Sequence, residues 1–558
     1  MSTLFRKKPL QTIEKEYSNN DLLGNASSLH KVLGVKDLTF MGIAAVIGAG
    51  IFSTIGQAAF DGGPGVIFLF VITAVTCGFT ALCYAEFASR VPVSGSAYTY
   101  SYVAFGELIA WIIGWALILE YAIGNIVVAI SWSAYFNNLL EGLHIHLPTW
   151  LVTDYATAKE TFERAIQTHK TTEGLAWVTA PIIGGWRVIL NIPAFVIVVL
   201  ITALVYVGIK ESKKSANLMV ILKIVVLLFV IGLGVFYIQP ENWKPFMPNG
   251  FSGVLKGVSA VFYAYIGFDA ISATAEECKN PQRDLPRSMM YSLIICTLIY
   301  VATTLIITGM VNYSEFNNVT DPLAFVFTKI NQPIIGYIVS FSAVIAATSV
   351  ILVFQIGQPR IWMSMSRDGL LPKSFGKIHD KYKTPAFATI VTGLVVGVPA
   401  LLVPSGIVTD LTSIGTLFAF VLVCGGVLLL PRITKQKGKF SLPYISGRYI
   451  MPILLVLFIY GFRQRIGGAL YNLHHEGYQE ILFLAFVLLT VALSVLVVVR
   501  KLSIIPVLGM LCCMYLMIEI PADSWLVFFM WMGVGLAIYF LYSRRKSKLA
   551  SATYNQFK

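Results

Sequence analysis

Stretches of roughly 20 apolar residues recur from one end of this chain to the other, and that is the length an α-helix needs to cross about 30 Å of hydrocarbon. In lipid every backbone amide and carbonyl must be satisfied internally, so windows this long and continuous are expected to be spanning helices. Composition agrees: 57% of the 558 residues are hydrophobic and 12% charged, with a mean hydropathy of +0.75, too apolar for a chain surrounded by water. The expected fold class is an all-α integral membrane protein with no room for a large soluble domain.

Apolar windows bounded by charge, Gly or Pro predict about fourteen helices. The first ten run at about 37–60, 66–88, 99–129, 192–209, 218–237, 253–275, 288–311, 334–363, 387–403 and 412–430, and four more at about 450–462, 481–499, 505–518 and 525–542. Two of the last four are short for full spans. About the first 35 residues are polar and lack the apolar core and small-residue cleavage site of a removable signal peptide, so they read as a cytoplasmic tail.

The net charge of +13 would suit nucleic acid if it were gathered on one segment, but the basic residues are spread through short loops, which points to membrane topology instead. Arg6, Lys7, Lys8, Lys213, Lys214, Arg283, Arg287, Lys373, Lys377, Lys381, Lys383, Arg432, Lys435, Arg500, Lys501, Arg544 and Arg545 all fall on one side of the predicted spans, which is the cytoplasmic side by the positive-inside rule. Both termini are then inside. Asp61, Glu241, Glu315, Asp321, Asp410 and Asp523 occupy the alternate loops, with Arg463 and Arg465 as exceptions. The outer connection at 131–188 is long and mixed in charge, and its 157–169 stretch could form a short surface helix. All seven cysteines fall in apolar windows or beside their basic ends, so no disulfide framework is expected.

The first window contains GIAAVIGAGIF (Gly42 to Phe52), with Gly48 and Gly50 near the bilayer midplane at roughly 1.5 Å of rise per residue. One reading is that the helix unwinds at 47–51. The freed amides and the positive end of the following half-helix would then seat a carboxylate. The other is that small residues merely let helices pack closely. The sixth window holds VFYAYIGFDA (Val261 to Ala270), with a mid-span Gly267 followed by Asp269, and reads as a second broken helix. Two interrupted helices, each first in a group of five, are the sequence mark of inverted-repeat transporters that bind substrate between the repeats. Carbonyls near Tyr263 to Ile266 would accept hydrogen bonds from an α-ammonium while amides near Gly48 to Ile51 hold the α-carboxylate, so a zwitterion would match both ends.

Ionisable residues inside the windows are few, and each costs roughly 2.5–3.5 kcal/mol at a helix centre. They are Glu120, Lys223 and Asp269. Lys223 lies roughly 13 Å along the fifth helix from the Lys213 and Lys214 anchor. It is either a snorkelling side chain or a buried lysine that changes protonation with a transported proton. Glu120 and Asp269 suit structural pairing or helix-end hydrogen bonding as well as a direct role.

At these residues the chain resembles the amino acid, polyamine and organocation superfamily, in particular its cationic amino acid transporter branch and the bacterial permeases close to it. Beyond the two broken-helix motifs the resemblance rests on YAEFASRVPVSGSAYTY (Tyr84 to Tyr100), EECKNPQRDLPRS (Glu276 to Ser288), GQPRIWMSMSRDGLLP (Gly357 to Pro372) and LTSIGTLFAFVLVCGGVL (Leu411 to Leu428). It implies a five-plus-five inverted-repeat core, leucine-transporter-like, at 35–432, with a cytoplasmic tail at 1–34, about four peripheral helices at 433–543 and a basic cytoplasmic tail at 544–558. It also implies a multi-pass protein of the cell membrane. By position, Ile47, Gly48, Ala49, Gly50 and Ile51 match the carboxylate-binding break, and Tyr263, Ala264 and Ile266 match the aromatic gate and the carbonyls facing the amino group. Lys223 matches a lysine that in bacterial members takes the place of a sodium ion, near Thr348 and Ser349, and so implies proton coupling. Animal facilitators lack that lysine, so its presence favours symport, while Tyr263 stands where Phe is expected in many close relatives and adds a hydroxyl to the gate.

The implied function is secondary active amino acid transport by alternating access, with a proton and an amino acid as partners and no cofactor. An exchanger or a facilitator of cationic amino acids is the alternative, and a non-transporting amino acid receptor is a further one for which the tails look too short. His144, His146, His474, His475 and Glu476 are weak evidence for a metal. A membrane enzyme would need a nucleophile with its base, or a metal, at one depth, and no such group is read; nor is a GxxxxGK[ST] loop.

Overall fold

The apolar windows become helices, and where one is interrupted a glycine or a proline stands nearby. The computed structural model describes residues 4–9, 29–48, 50–169, 171–317, 319, 321–404, 408–431, 440–472, 478–520 and 522–550. Ala49, Arg432, Lys435, His474, His475, Glu476, most of the 1–34 tail and residues 551–558 lie outside the described residues.

In chain order, α1 (Val35–Val46) leads through a π-helical turn (Gly50–Thr54) into α2 (Ile55–Gly62), followed by α3 (Val66–Arg90), α4 (Ala97–Ala104) and α5 (Glu107–Gly142). The outer connection carries α6 (Tyr155–Gln167), close to the surface helix expected at 157–169, capped by the Asp154 carboxylate accepting from the Thr157 amide. Then come α7 (Ile192–Val207), α8 (Ile209–Gly234), α9 (Gly250–Lys256), α10 (Val258–Tyr263) and, after a 3-10 turn (Ala270–Glu277), α11 (Pro281–Met310). The chain continues with α12 (Pro322–Lys329), α13 (Pro333–Arg367), α14 (Ala386–Ala400), α15 (Val408–Leu429), α16 (Gly447–Gly461), α17 (Arg463–Asn472), α18 (Tyr478–Arg500), α19 (Ile504–Ile518) and α20 (Ala522–Ile538).

Three differences from the sequence expectation have local causes. The third window splits at Phe105–Gly106, where Gly106 has φ +104° and packs so tightly on the backbone of Phe5 that a Cβ would sit 2.7 Å from its carbonyl carbon. Its second part, α5, runs on to Gly142, so the outer connection begins later than 131. The eleventh window bends by 64° between Gly447–Gly461 and Arg463–Ala469. Among the described residues, eight helices are long and apolar enough to cross a membrane, or nine if that bent pair counts as one span. The sequence windows number more because the broken helices and α7, α14 and α19, of 16, 15 and 15 residues, fall short of that length.

The core is built by α5 lying along α13, α3 along α11, and α15 against α5 and α19, with α1 enclosed by α8, α11 and α13. Outward faces are apolar too: Leu200 is 59% and Leu298 67% exposed, a pattern suited to hydrocarbon rather than water. At one end of the molecule the buried Arg360 of α13 holds Glu277 through Nε to Oε2 at 2.6 Å and Nη2 to Oε1 at 2.5 Å, and Arg367 holds Glu276. The carbonyl of Glu277 also takes the amides of Val32 and Leu33, so the chain entering α1 is tied to the end of the 3-10 turn. Both terminal segments dock nearby, with Lys8 Nζ 2.9 Å from Asp368 Oδ1, the Lys548 amide on the Asp368 carbonyl and Ser547 Oγ on Glu107 Oε2.

Candidate functional site

The α1 ladder ends at Ile47, whose amide still reaches Ile43 O at 3.0 Å while its own backbone turns extended at φ −77°, ψ 94°. The helical path resumes only in the π-turn at Gly50. The second interruption follows α10: the amides of Tyr265 and Ile266 fold back on Phe262 O and Tyr263 O, and Gly267 takes φ +112°, a region that residues with a Cβ rarely enter. Both sequence-predicted breaks are therefore present.

They also lie against each other. A Cβ on Gly50 would collide with the backbone of Ala264 and come to 2.7 Å from its Cβ, and one on Gly267 would come to 2.8 Å from Ala45 Cβ and 3.2 Å from Ala45 O. On Gly48 it would strike the side chain of Val350 on α13. Close backbone approach and interruption are thus both served by the same glycines, so the two readings of GIAAVIGAGIF are complementary.

Carbonyls that leave the α1 ladder at this depth need donors, since a bare one costs several kcal/mol in hydrocarbon. Side chains of neighbouring helices supply them. Lys223 on α8 is wholly buried, and its Nζ lies 3.1 Å from Ala44 O, 2.5 Å from Ile47 O and 2.9 Å from Ser349 Oγ on α13. An ammonium has three N–H donors, and here there are three acceptors. Tyr300 on α11 places its hydroxyl 2.8 Å from Val46 O and 2.8 Å from Ala264 O, so one oxygen joins the two broken segments. The Thr54 hydroxyl does the same lower in the site, 2.7 Å from Gly50 O and 3.1 Å from Ala260 O.

Of the sequence-predicted residues, Ile47, Gly48, Gly50 and Ile51 line the first break and are buried, as are Tyr263, Ala264 and Ile266 at the second; Ala49 is outside the described residues. Of the two neighbours expected for Lys223, the structure brings Ser349 and not Thr348. Thr348 Oγ1 instead accepts from Trp132 Nε1 at 2.8 Å and donates to Val344 O, because adjacent positions on α13 point about 100° apart. Lys223 is not a snorkelling side chain, since its nitrogen ends among backbone carbonyls. Glu120 on α5 and Asp269 beyond Gly267 are both buried. His144 and His146 are exposed on the outer connection.

Tyr300 is the residue that sequence reading missed. A tyrosine in the middle of the 288–311 window, far from either interface, was the available signal, since a buried hydroxyl usually has a partner.

Two main-chain interruptions thus face each other, with Tyr263 buried at the second. Comparison with known proteins gives the family. The family model described as amino acid permease matches residues 33–464, and the model of that family's C-terminus matches 502–547. The chain is similar to the branched-chain amino acid permease BcaP of Bacillus subtilis (strain 168), at 39% identity over 98% of this chain and 99% of that protein. It is similar to the methylthioribose transporter of the same organism, at 35% over 98% and 100%, and to the human cationic amino acid transporter 4, at 29% over 98% and 90%. These relatives are transporters, not enzymes. With its spanning helices and a match over most of its length, the chain is a multi-pass membrane protein that belongs to the amino acid permease family.

Proposed function

We propose that the protein is a proton-coupled amino acid symporter that works by alternating access in a cell membrane, with both termini in the cytoplasm. Its core, 35–432, is a five-plus-five inverted repeat, with peripheral helices at 433–543. The α-carboxylate is held by the amides freed at Gly48, Gly50 and Ile51, the Ile47 amide being taken by Ile43 O, and the α-ammonium by the carbonyls at Tyr263, Ala264 and Ile266.

The observation that carries this reading is the cage around Lys223 Nζ, made of Ala44 O, Ile47 O and Ser349 Oγ. A protonated lysine satisfies the carbonyls left by the break. A neutral amine has two N–H groups for three acceptors, and the Ser349 hydroxyl, 3.2 Å from Ala44 O, can substitute only there, so loss of the proton weakens the tie of α1 to α8 and α13, and occupancy by a proton is linked to the shape of the carboxylate seat. A seat of main-chain groups reads only what all amino acids share. That fits relatives named for branched-chain and for cationic amino acids, and leaves side-chain choice to the walls.

The test is uptake of a panel of labelled amino acids into proteoliposomes, with and without an inward proton gradient. Symport predicts accumulation above equilibrium only with the gradient. Uptake that ignores the gradient but requires amino acid inside would establish exchange, and gradient-independent uptake into empty vesicles would establish facilitated diffusion.

A further inference from the structure

The outer connection is a small folded unit with two unlike faces. Ala158 of α6, Ala180 and Ile189 form a buried cluster on which Trp150 and Trp177 pack. The outward side of α6 is charged and exposed, with Lys159 paired to Glu163 and Arg164 to Glu160. Elsewhere the unit projects a hairpin, β1 (Ile182–Ile183) and β2 (Trp186–Arg187). Its turn is Gly184 and Gly185 at φ +58° and +84°, the positive values that a two-residue hairpin loop requires. Ile182 pairs with Arg187 and Ile183 with Trp186, so the two pairs point to opposite faces. Arg187 holds its face down: the guanidinium lies over the Trp177 ring, 5.1 Å from the centroid, and donates to Trp177 O. On the other face Ile183 is 67% and Trp186 77% exposed, and a Cβ on either turn glycine would meet no atom within 4 Å.

An isoleucine and a tryptophan displayed together on a projecting tip are poorly placed in water, and the tether of the hairpin says what covers them. Arg187 is four residues from Asn191, at most about 14 Å of extended chain. Asn191 marks the edge of the spanning helices: its amide donates to Leu401 O just past α14, and its Oδ1 caps α7 at the Ala194 amide and accepts from Ser133 Oγ of α5 at 2.6 Å. Leu402 next to that carbonyl and Val196, one turn into α7, are exposed and begin the lipid-facing belt. The tip therefore continues that belt, at the end of α5 away from the docked termini. Tryptophan suits the boundary of hydrocarbon and headgroups, because its ring is apolar and its N–H polar. We propose that the tip bearing Ile183 and Trp186 is a membrane anchor, seated in the headgroup region of the leaflet opposite the docked termini, with the charged side of α6 turned to water. Through Asn191 the anchor ties the ends of α5, α7 and α14 to the bilayer surface.

The anchor is independent of which solute or ion is carried. Its test places a bimane fluorophore on the full-length protein in liposomes, at Ile183→Cys, at Trp186→Cys and, as the aqueous reference on α6, at Glu163→Cys. The unsubstituted protein gives the background from native cysteines, of which only Cys512 is not fully buried. Lipids brominated high on the acyl chain quench from the membrane, and iodide, present inside and outside, quenches from water. Both tip labels are expected to lose most of their fluorescence to brominated lipid and little to iodide, and the α6 label the reverse. Tip labels quenched by iodide as strongly as the α6 label would put the hairpin in water, and tip labels shielded from both quenchers would put it against protein, a second copy of the chain included; either result overturns the anchor. Both tip positions are exposed, so the substitutions remove no packing, and if one variant fails to insert the other decides alone.

Discussion

Lys223→Met is expected to abolish substrate accumulation driven by an inward proton gradient while the protein still inserts and folds. Methionine fills much of the volume of the lysine stem but has no donor for Ala44 O, Ile47 O and Ser349 Oγ, the three groups around Nζ. The break then has one state instead of two: α1 is never locked by a proton and never released by its loss, so the cycle cannot be driven. A single proton crossing with 100 mV is worth about 2.3 kcal/mol, or about fiftyfold accumulation, and at least that much is lost. The measurement compares uptake by wild type and variant at equal inserted amounts. Gradient-driven accumulation at the wild-type level would remove Lys223 from the mechanism.

The second large effect is on stability. Arg360→Ala is expected to destabilise the protein by about 3–5 kcal/mol, because it leaves the Glu277 carboxylate buried with no counter-charge. The pair is 1% and 0% exposed, so water cannot take over for the arginine. Glu277 closes the 3-10 turn that follows the second break and carries the amides of Val32 and Leu33 on its carbonyl. Its loss should therefore be felt at both broken segments. Thermal denaturation in detergent should show a clear drop for Arg360→Ala and partial recovery in the double variant Arg360→Met, Glu277→Leu, where no charge is left behind. An unchanged midpoint for the single variant would mean that Glu277 finds another partner or stays hydrated.

Much of this was legible because it is written in local pattern. Apolar windows gave the helices, and mid-span glycines gave both breaks, since Gly48, Gly50 and Gly267 weaken a helix wherever they stand. Lys223 stood out because a charge at that depth demands a reason. What escaped is long-range. Tyr300 pairs with carbonyls 36 and 254 residues away, and Arg360 with an acid 83 residues away, and no window along the chain encodes such a partner. The resemblance offered both Thr348 and Ser349 as neighbours, and only the rotation of α13 decides which one faces Lys223. The continuation of α5 to Gly142 was hidden because its last turns are polar, and hydropathy marks where lipid ends rather than where a helix does.

The central claim is that two helices broken at the same depth present their main chains to the two poles of one amino acid. The most direct measurement is an experimentally determined structure of the protein with a transported amino acid bound. The account predicts its carboxylate within about 2.7–3.2 Å of amides in the 48–51 segment and its ammonium at that distance from carbonyls at 263–266. An amino acid bound elsewhere, or both segments closed into continuous helices around it, would contradict the account.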